Sequence, residues 1–432
     1  MQLVTALALP SLPVEQPDFA TDPMPYVEAA RCQHPWLAKF SQGYVVHGYQ
    51  ATKDLIYMDD KLRPNFDGIV DIYGAQGTSW ARFMEEMIVT RSGPDHTRLR
   101  ASVALAFTPR SVNRHRALMR QVISKLLDEW APSGQFDFAL FASYFPVTVM
   151  CGLLGVSAEP IPRIRDSLEM QVASLTLDRK LLPALLAGYD VLWNFADTLV
   201  VEREKRGGAN DDSLLDALIA ARTAGQIDET ELRFMLMVLL TAGYDTSKNM
   251  LTLTMHMMLK HPQQWARCAE DRAFCAKVVE EMLRHSAITT PYRAVAQEFV
   301  YGEVRFPKGT MLIFATALAG RDPAAFPDAM EFQPERVHTN RHLAFGRGAH
   351  ICLGQHLART QLQEGLQLLA QRITKPRLAG EVTWRPFLGV WGLRTLPIAF
   401  EPAPARERSL TQAVAEVQAQ GCPVHQPASL HP

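Results

Sequence analysis

The sequence contains no C-x-x-C pair: its six cysteines, Cys32, Cys151, Cys268, Cys275, Cys352 and Cys422, stand far apart. That spacing excludes a disulfide framework and a zinc ribbon. Long hydrophobic runs are missing too. The apolar opening MQLVTALALPSLP has no charged leading region and is broken by Pro10 and Pro13, short of the ~20 apolar residues a spanning helix needs. Residues 1–21 read as an arm lying on the surface of a soluble, cytoplasmic chain with no membrane span. Net charge is nearly absent, since 44 Lys and Arg against 45 Asp and Glu leave −1, so no global field draws nucleic acid or anionic lipid. Gly (25) and Pro (28) are too few for a low-complexity chain of 432 residues, and the 47% apolar content supplies a core. No internal repeat is present.

What is there is mostly helical periodicity. Apolar residues recur at three- and four-residue steps in 111–130, 182–206 and 353–373, where Leu353, Leu357, Leu362, Leu366, Leu369 and Ile373 form one stripe. The longest helix is predicted from Asp228, with Glu231 completing a capping box, to Lys260, stopped by His261-Pro262. Strand signals are few: Tyr44 to His47, a hairpin over 298–314 with turns at Gly302 and Pro307-Lys308-Gly309, and a late strand from Leu393 to Phe400. The expected fold class is mainly α with a minor β portion. Residues 61–94 mix Gly, Asp and large apolar side chains and read as a long binding loop. After Phe400 the composition shifts to a loose tail, 402–432, in which Cys422 and His425 lack further ligands for a metal.

One cysteine stands in a motif. Phe345, Gly348, Cys352 and Gly354 fit F-x-x-G-x-x-x-C-x-G, a pattern expected by chance in roughly one such sequence in a thousand. Gly346 and Gly348 let a loop turn tightly against a flat cofactor. Cys352 falls where a helix begins, and a helix N-terminus favours the thiolate. The segment resembles the haem-binding loop of the cytochrome P450 family, in its soluble bacterial branch, and the resemblance runs from about Asp22 to Phe400. It implies the P450 fold with a long central helix over the haem, haem b as cofactor, and Cys352 as the axial ligand of its iron, pushing electron density toward bound dioxygen. It further implies that Phe345 packs near the sulfur and that His350 binds a propionate, with Gly354 part of the same loop.

Other pieces gain weight from their order. Glu281 and Arg284 form an E-x-x-R that alone reads as a solvated helix pair; with Arg336, the resemblance implies a buried network locking the cysteine loop. His96 and Arg100, four apart on one helix face, can reach carboxylates, and the resemblance makes them, with Arg293, propionate ligands. An acid beside a threonine in an apolar helix is costly unless paired or solvated, and the threonine hydroxyl can bond back to a carbonyl one turn earlier and open the helix. The bland reading of Asp245 is an exposed pair with Lys248. By resemblance, Asp245 and Thr246 in A-G-x-D-T serve oxygen activation and proton relay, which argues against a peroxide-dependent branch. Met250, Met255, Met257 and Met258 read as core, and His261 and His285 as helix-end polar groups.

The residues expected to face a substrate are Phe66, Ile69, Val70 and Trp80 in the long loop, Leu239 and Ala242 on the central helix, and Ile288 and Thr289 beyond the E-x-x-R. They suit an apolar organic guest. No Rossmann fingerprint or cysteine cluster supplies electrons within the chain, so the resemblance implies a separate ferredoxin with its NAD(P)H-dependent reductase. Arg98, Arg347, Arg359 and Lys125 are expected to form the basic surface that meets it. The expectation is one monomeric domain over 1–401 acting as a haem-thiolate monooxygenase. The alternatives are a haem-thiolate binding or sensor protein without turnover, and a peroxide-driven peroxygenase.

Overall fold

The capping box of the longest helix forms as its residues dictate: Asp228 Oδ1 accepts from Glu231 N at 2.7 Å, and Glu231 Oε2 from Asp228 N at 2.9 Å. The computed structural model describes residues 1–207, 213–337 and 340–403. In it this central helix runs unbroken over Glu229–Leu259, about 46 Å at 1.5 Å per residue. Its side chains are buried on nearly every face, because Phe138–Ala142, Phe145–Leu154, Ile161–Ala173 and Leu182–Lys205 pack around it. Arg179–Lys205 is long and apolar enough to cross a membrane (mean hydropathy 1.2), yet it packs on Ile161–Ala173 and on the central helix.

Elsewhere the boundaries shift for local reasons. The periodic stretch 111–130 is two helices, Pro109–Arg114 and Arg116–Trp130, with His115 leaving helical geometry between them. The helix after the cysteine spans Gln355–Arg372, with Gly354 at its N-cap position, two residues beyond the expected start. Residues 61–94 are not a loop. They hold a strand, Leu62–Pro64, and two short helices, Phe66–Tyr73 and Ser79–Glu86. Gly74 ends the first in the left-handed region (φ +66°), and the Thr78 hydroxyl caps the second by accepting from Ala81 N at 3.1 Å. Two short periods separated by a turn merge into a pattern that resembles neither helix nor strand.

A five-stranded sheet orders Leu37–Phe40, Gly43–Val46, Met311–Phe314, Tyr292–Val295 and Leu62–Pro64. The expected 298–314 hairpin is divided between sheets: Phe299–Tyr301 and Val304–Phe306 pair around Gly302, while Gly309 (φ +85°) turns the chain so that Met311–Phe314 joins the larger sheet. The late strand is two, Leu393–Thr395 and Pro397–Pro402, in different sheets. The N-terminal arm is not a surface ornament. Gln2–Leu3 pairs in parallel with Val304 and Arg305, and Val4, Leu12 and Val14 are buried. The tail beyond residue 403, with Cys422 and His425, lies outside the described residues.

Candidate active site

The middle of the central helix and the loop before Gln355–Arg372 face each other across a cavity of about 340 Å3. Loop geometry begins with glycine. Gly346 (φ +66°) and Gly348 (φ +74°) both occupy the left-handed region that a side chain disfavours. A Cβ on Gly348 would also stand 2.6 Å from Asp59 Oδ2. The loop closes on itself, with Cys352 N donating to Phe345 O at 2.9 Å and Ile351 N to Gly348 O at 3.2 Å. Arg100 Nη2, from the helix Gly93–Ala104, ties it down at Ile351 O at 2.8 Å.

Cys352 lines the cavity. Its side-chain surface is exposed, yet protein encloses the sulfur on the remaining sides. Both statements hold because the open side of the thiol is the cavity itself. Burial raises its pKa, against the Gly354 amide and the charges of Arg100 and Arg359, which favour the thiolate. Phe345 and Gly354 line the same space. Arg359 lies over the Phe345 ring, 4.4 Å from its centroid, and donates Nε to Glu280 Oε1 at 2.6 Å.

Four cationic or donor side chains line one edge: His96, Arg100, Arg293 and His350. The two imidazoles have ring centroids 4.3 Å apart. Burial, then the charges of Arg293, His96 and Arg100, push His350 down to about 3. Burial likewise pulls Arg293 down to about 10, against Asp59, and lowers His96. Among the described residues neither arginine forms an ion pair; Arg293 Nη1 donates only to Tyr292 O at 3.0 Å. Buried cations of this kind are stabilised by an anionic ligand. A thiol aimed into an apolar cavity, edged by unpaired cations, fits a flat apolar macrocycle carrying carboxylates.

On the opposite side, Met235, Val238, Leu239, Ala242 and Thr246 of the central helix line the cavity. Thr246 Oγ1 donates to Ala242 O at 2.6 Å, the back-bond its position predicts, but the helix stays continuous there. Asp245, one residue earlier, is fully buried and absent from the cavity wall. Its partner is not an exposed Lys248. Arg385 Nη1 donates to Asp245 Oδ1 at 2.6 Å, while Lys248 Nζ lies 4.0 Å away and bonds Glu169 Oε2 at 2.8 Å. Neither Arg385 nor Glu169 belongs to a motif. An unpaired acid in an apolar helix was the one signal that a distant cation had to meet it.

Glu281, Arg284 and Arg336 come together below the loop, all with buried side chains. Arg284 Nε and Nη2 donate to Glu281 at 2.8 and 2.7 Å, and Arg336 Nε to Glu281 Oε1 at 3.4 Å. Arg284 also donates to the carbonyls of Gly320, Ala329 and Glu331 at 2.7–2.8 Å. His285, at the end of the same helix, bonds Ser286 Oγ at 2.8 Å and Met330 O at 3.2 Å.

Of the eight residues expected to face a substrate, Leu239, Ala242, Ile288 and Thr289 line the cavity. The other four do not. Ile69, Val70 and Trp80 are buried in the main core, and Phe66 packs half-buried against it. Trp80 Nε1 donates to Gln171 Oε1 at 3.0 Å, which turns the ring inward. The wall near them is made instead by Ile88 and Val89, just after Ser79–Glu86. The expected basic surface is also partly spent. Arg98 pairs with Glu231 at 2.6 Å, Arg359 with Glu280, and Arg347 lies over Tyr57 and lines the cavity, leaving Lys125 without an ion pair among the described residues. Met250, Met255 and Met258 are core, as expected, with Met257 packed half-buried against it, and Met250 also reaches the cavity wall.

The chain is similar to known proteins along most of its length. The family described as Cytochrome P450 matches residues 188–374. Luteothin monooxygenase of Streptomyces thioluteus is 35% identical over 400 residues, covering 91% of this chain and 97% of that one. 6-Deoxyerythronolide B hydroxylase of Saccharopolyspora erythraea is 34% identical over 320 residues, covering 72% and 77%. Among solved structures, ligand-free CYP164A2 of Mycobacterium smegmatis superposes with a TM-score of 0.79 at 28% identity, over 89% of this chain and 98% of that one.

Proposed function

The chain belongs to the cytochrome P450 family, and from that premise we propose that it hydroxylates an uncharged, apolar small molecule with electrons from a separate ferredoxin and its NAD(P)H-dependent reductase. The monooxygenase class is that of its named relatives. The observation that carries the reading is convergence: one thiol, two arginines and two histidines with no ion pair among the described residues, and one helix threonine face a single cavity. Haem, here haem b, supplies when bound the activation of dioxygen, so that one oxygen atom enters a C–H bond and the other leaves as water, with two electrons and two protons consumed.

The chain's own residues would do the rest. Cys352 would ligate the iron as thiolate, helped by the Gly354 amide and by Arg100 and Arg359. His96, Arg100, Arg293 and His350 would bind the two propionates, whose negative charge offsets the burial that lowers His96, Arg293 and His350. Phe345 would shield the sulfur. Thr246 would hold and pass a proton on the cavity side, and Asp245 would supply it. Glu281, Arg284 and Arg336 would lock the loop. The substrate would lie against Ile88, Val89, Leu239, Ala242, Ile288 and Thr289, a wall with no charged group; this supports a neutral guest over a carboxylate. Because the contributing residues run from His96 to Cys352, the reading treats 1–401 as one domain of a cytoplasmic enzyme.

Carbon monoxide added to the reduced holoenzyme should give the thiolate-type Soret shift. Product should form with dioxygen, a surrogate ferredoxin and its reductase. Turnover with hydrogen peroxide alone, and none with dioxygen, would make the protein a peroxygenase instead; no turnover with either would leave a binding protein.

A further inference from the structure

Asp245 points away from the cavity into a cluster of charges that spans three separate elements. Arg385, just after the strand Thr383–Trp384, places Nη1 2.6 Å from Asp245 Oδ1 and 3.7 Å from Glu169 Oε1. Lys248 Nζ lies 2.8 Å from Glu169 Oε2 and 4.0 Å from Asp245 Oδ1. Tyr244 Oη donates to Glu169 Oε2 at 3.4 Å. Two carboxylates therefore share one guanidinium nitrogen and one ammonium. They differ in access: the Asp245 side chain is wholly buried, whereas that of Glu169, on Ile161–Ala173, is 38% exposed. Asp245 Oδ2 is buried and has no hydrogen-bond partner in the protein. A buried carboxyl oxygen without a partner is expensive, and water is the ordinary remedy.

We propose that Glu169 is the solvent-facing end of a two-carboxylate proton route whose inner end is Asp245, with water on Asp245 Oδ2 between them. The proposal rests on the reading above, in which Asp245 supplies protons to Thr246. Guanidinium does not release its proton at working pH, so Arg385 is not a carrier; it holds the two acids side by side, and Lys248 does the same from the central helix. Glu169 takes a proton from bulk water, passes it through the intervening water to Asp245, and returns to carboxylate; Asp245 passes it on and does the same. Nothing on the route is oxidised or reduced. The groups facing Glu169 are Lys248 and Tyr244 from the central helix, Arg385 from the late segment and Arg165 from its own helix. Burial would raise the Glu169 carboxyl, but Lys248, Arg385 and Arg165 hold it below its ordinary range, so between turnovers it stays ionised and ready to accept. Glu169 is thus a positioning residue acting through Asp245.

The test uses holoenzyme reduced by a surrogate ferredoxin and its reductase in air, without added organic substrate. It follows reductant consumption, its pH profile and its solvent isotope effect in Glu169→Gln, Glu169→Asp and Asp245→Asn. Glu169→Gln should slow consumption about three- to tenfold, raise the isotope effect and shift the acid limb of the profile, with Glu169→Asp restoring much of each. The thermal midpoint, reduction potential and carbon monoxide Soret band should stay at wild-type values. A crystal structure of the wild type should place ordered water between Asp245 Oδ2 and Glu169. If Glu169→Gln matches wild type while Asp245→Asn is impaired, or if the gap is dry, the outer end of the route is overturned and Asp245 keeps its role. A slow Glu169→Gln with unchanged isotope effect and profile would mark a structural ion pair, also overturning the proposal. Wild-type behaviour of Asp245→Asn would overturn the reading beneath it.

Discussion

The two walls of the cavity are built by different means. The cysteine wall is backbone held by backbone and by buried charge: left-handed glycines, the Cys352 N to Phe345 O bond, and the Glu281–Arg284–Arg336 cluster with its carbonyl partners. The opposite wall is side chains alone, Leu239, Ala242, Ile288 and Thr289 on elements whose stability comes from elsewhere. A wall made of directional bonds has one working geometry. A wall made of apolar volume accepts replacement so long as the helix behind it stays packed. Rigidity therefore belongs on the side that must hold a cofactor, and tolerance on the side that chooses a guest.

The largest effect should come from breaking the buried charge on the cysteine wall. Arg284→Ala leaves the fully buried Glu281 with only the longer 3.4 Å contact to Arg336 as a cation partner, and takes a donor from the carbonyls of Gly320, Ala329 and Glu331. Removing one partner of such a pair costs about 3–5 kcal/mol, so the variant should give little soluble, haem-loaded protein, measured as haem-to-protein ratio and thermal midpoint. A wild-type midpoint would remove the asymmetry between the walls. Next comes Gly348→Val, which forces a branched residue to φ +74° with its Cβ 2.6 Å from Asp59 Oδ2. Strain of this kind costs about 1–3 kcal/mol. Gly354→Ala is the control, because a Cβ there meets nothing within 4 Å and its φ is −81°. Denaturant midpoints should fall for the first and stay for the second; equal losses would mean that glycine matters throughout the loop rather than at its left-handed points.

On the other wall, Ala242→Leu should leave stability within about 0.5 kcal/mol of wild type, since its methyl already faces open space. It should instead weaken binding of the bulkiest compounds in a spin-state titration with a steroid, a monoterpene and dodecanoate by about tenfold or more. A loss of stability without change in selectivity would put Ala242 in the core and not on the wall.

The same contrast explains what the sequence disclosed. The cysteine wall was legible because its geometry demands particular residues: glycine at Gly346 and Gly348, an acid and two arginines at Glu281, Arg284 and Arg336, a thiol at Cys352. The long helix was legible from its cap and stop. The substrate wall was half legible. Leu239 and Ala242 follow from their helical phase relative to Thr246, but Ile69, Val70 and Trp80 are as apolar as any wall residue and simply face the other way. Nothing in an apolar side chain distinguishes core from cavity lining until the turn at Gly74 fixes the helix direction. Arg385 and Glu169 were invisible because an ion pair between elements 140 residues apart, as for Arg385 and Asp245, leaves no spacing to read.

The effect that is smallest at neutral pH, and grows only with acid, is a pH dependence centred on the cysteine wall. His285, between Arg284 and Ser286, is pushed down to about 3 by burial and by the charges of Arg321 and Arg284. It is neutral in the fold and titrates near 6.5 when unfolded. Its stabilising contribution is therefore complete above about pH 6.5 and is lost as pH falls toward 3, with a slope of up to about 1.4 kcal/mol per pH unit for one proton. His285→Gln should flatten the thermal midpoint against pH over that window. In wild type at about pH 4.5, hydrogen exchange should accelerate first in Arg272–His285 and at the C-terminal end of Glu229–Leu259, where burial pushes His256 down to about 4, while the middle of that helix around Leu239 and Ala242, which carry no titrating group, stays protected. Simultaneous opening of both helices would show that the two walls unfold as one cooperative unit, and the contrast between them would then concern geometry alone.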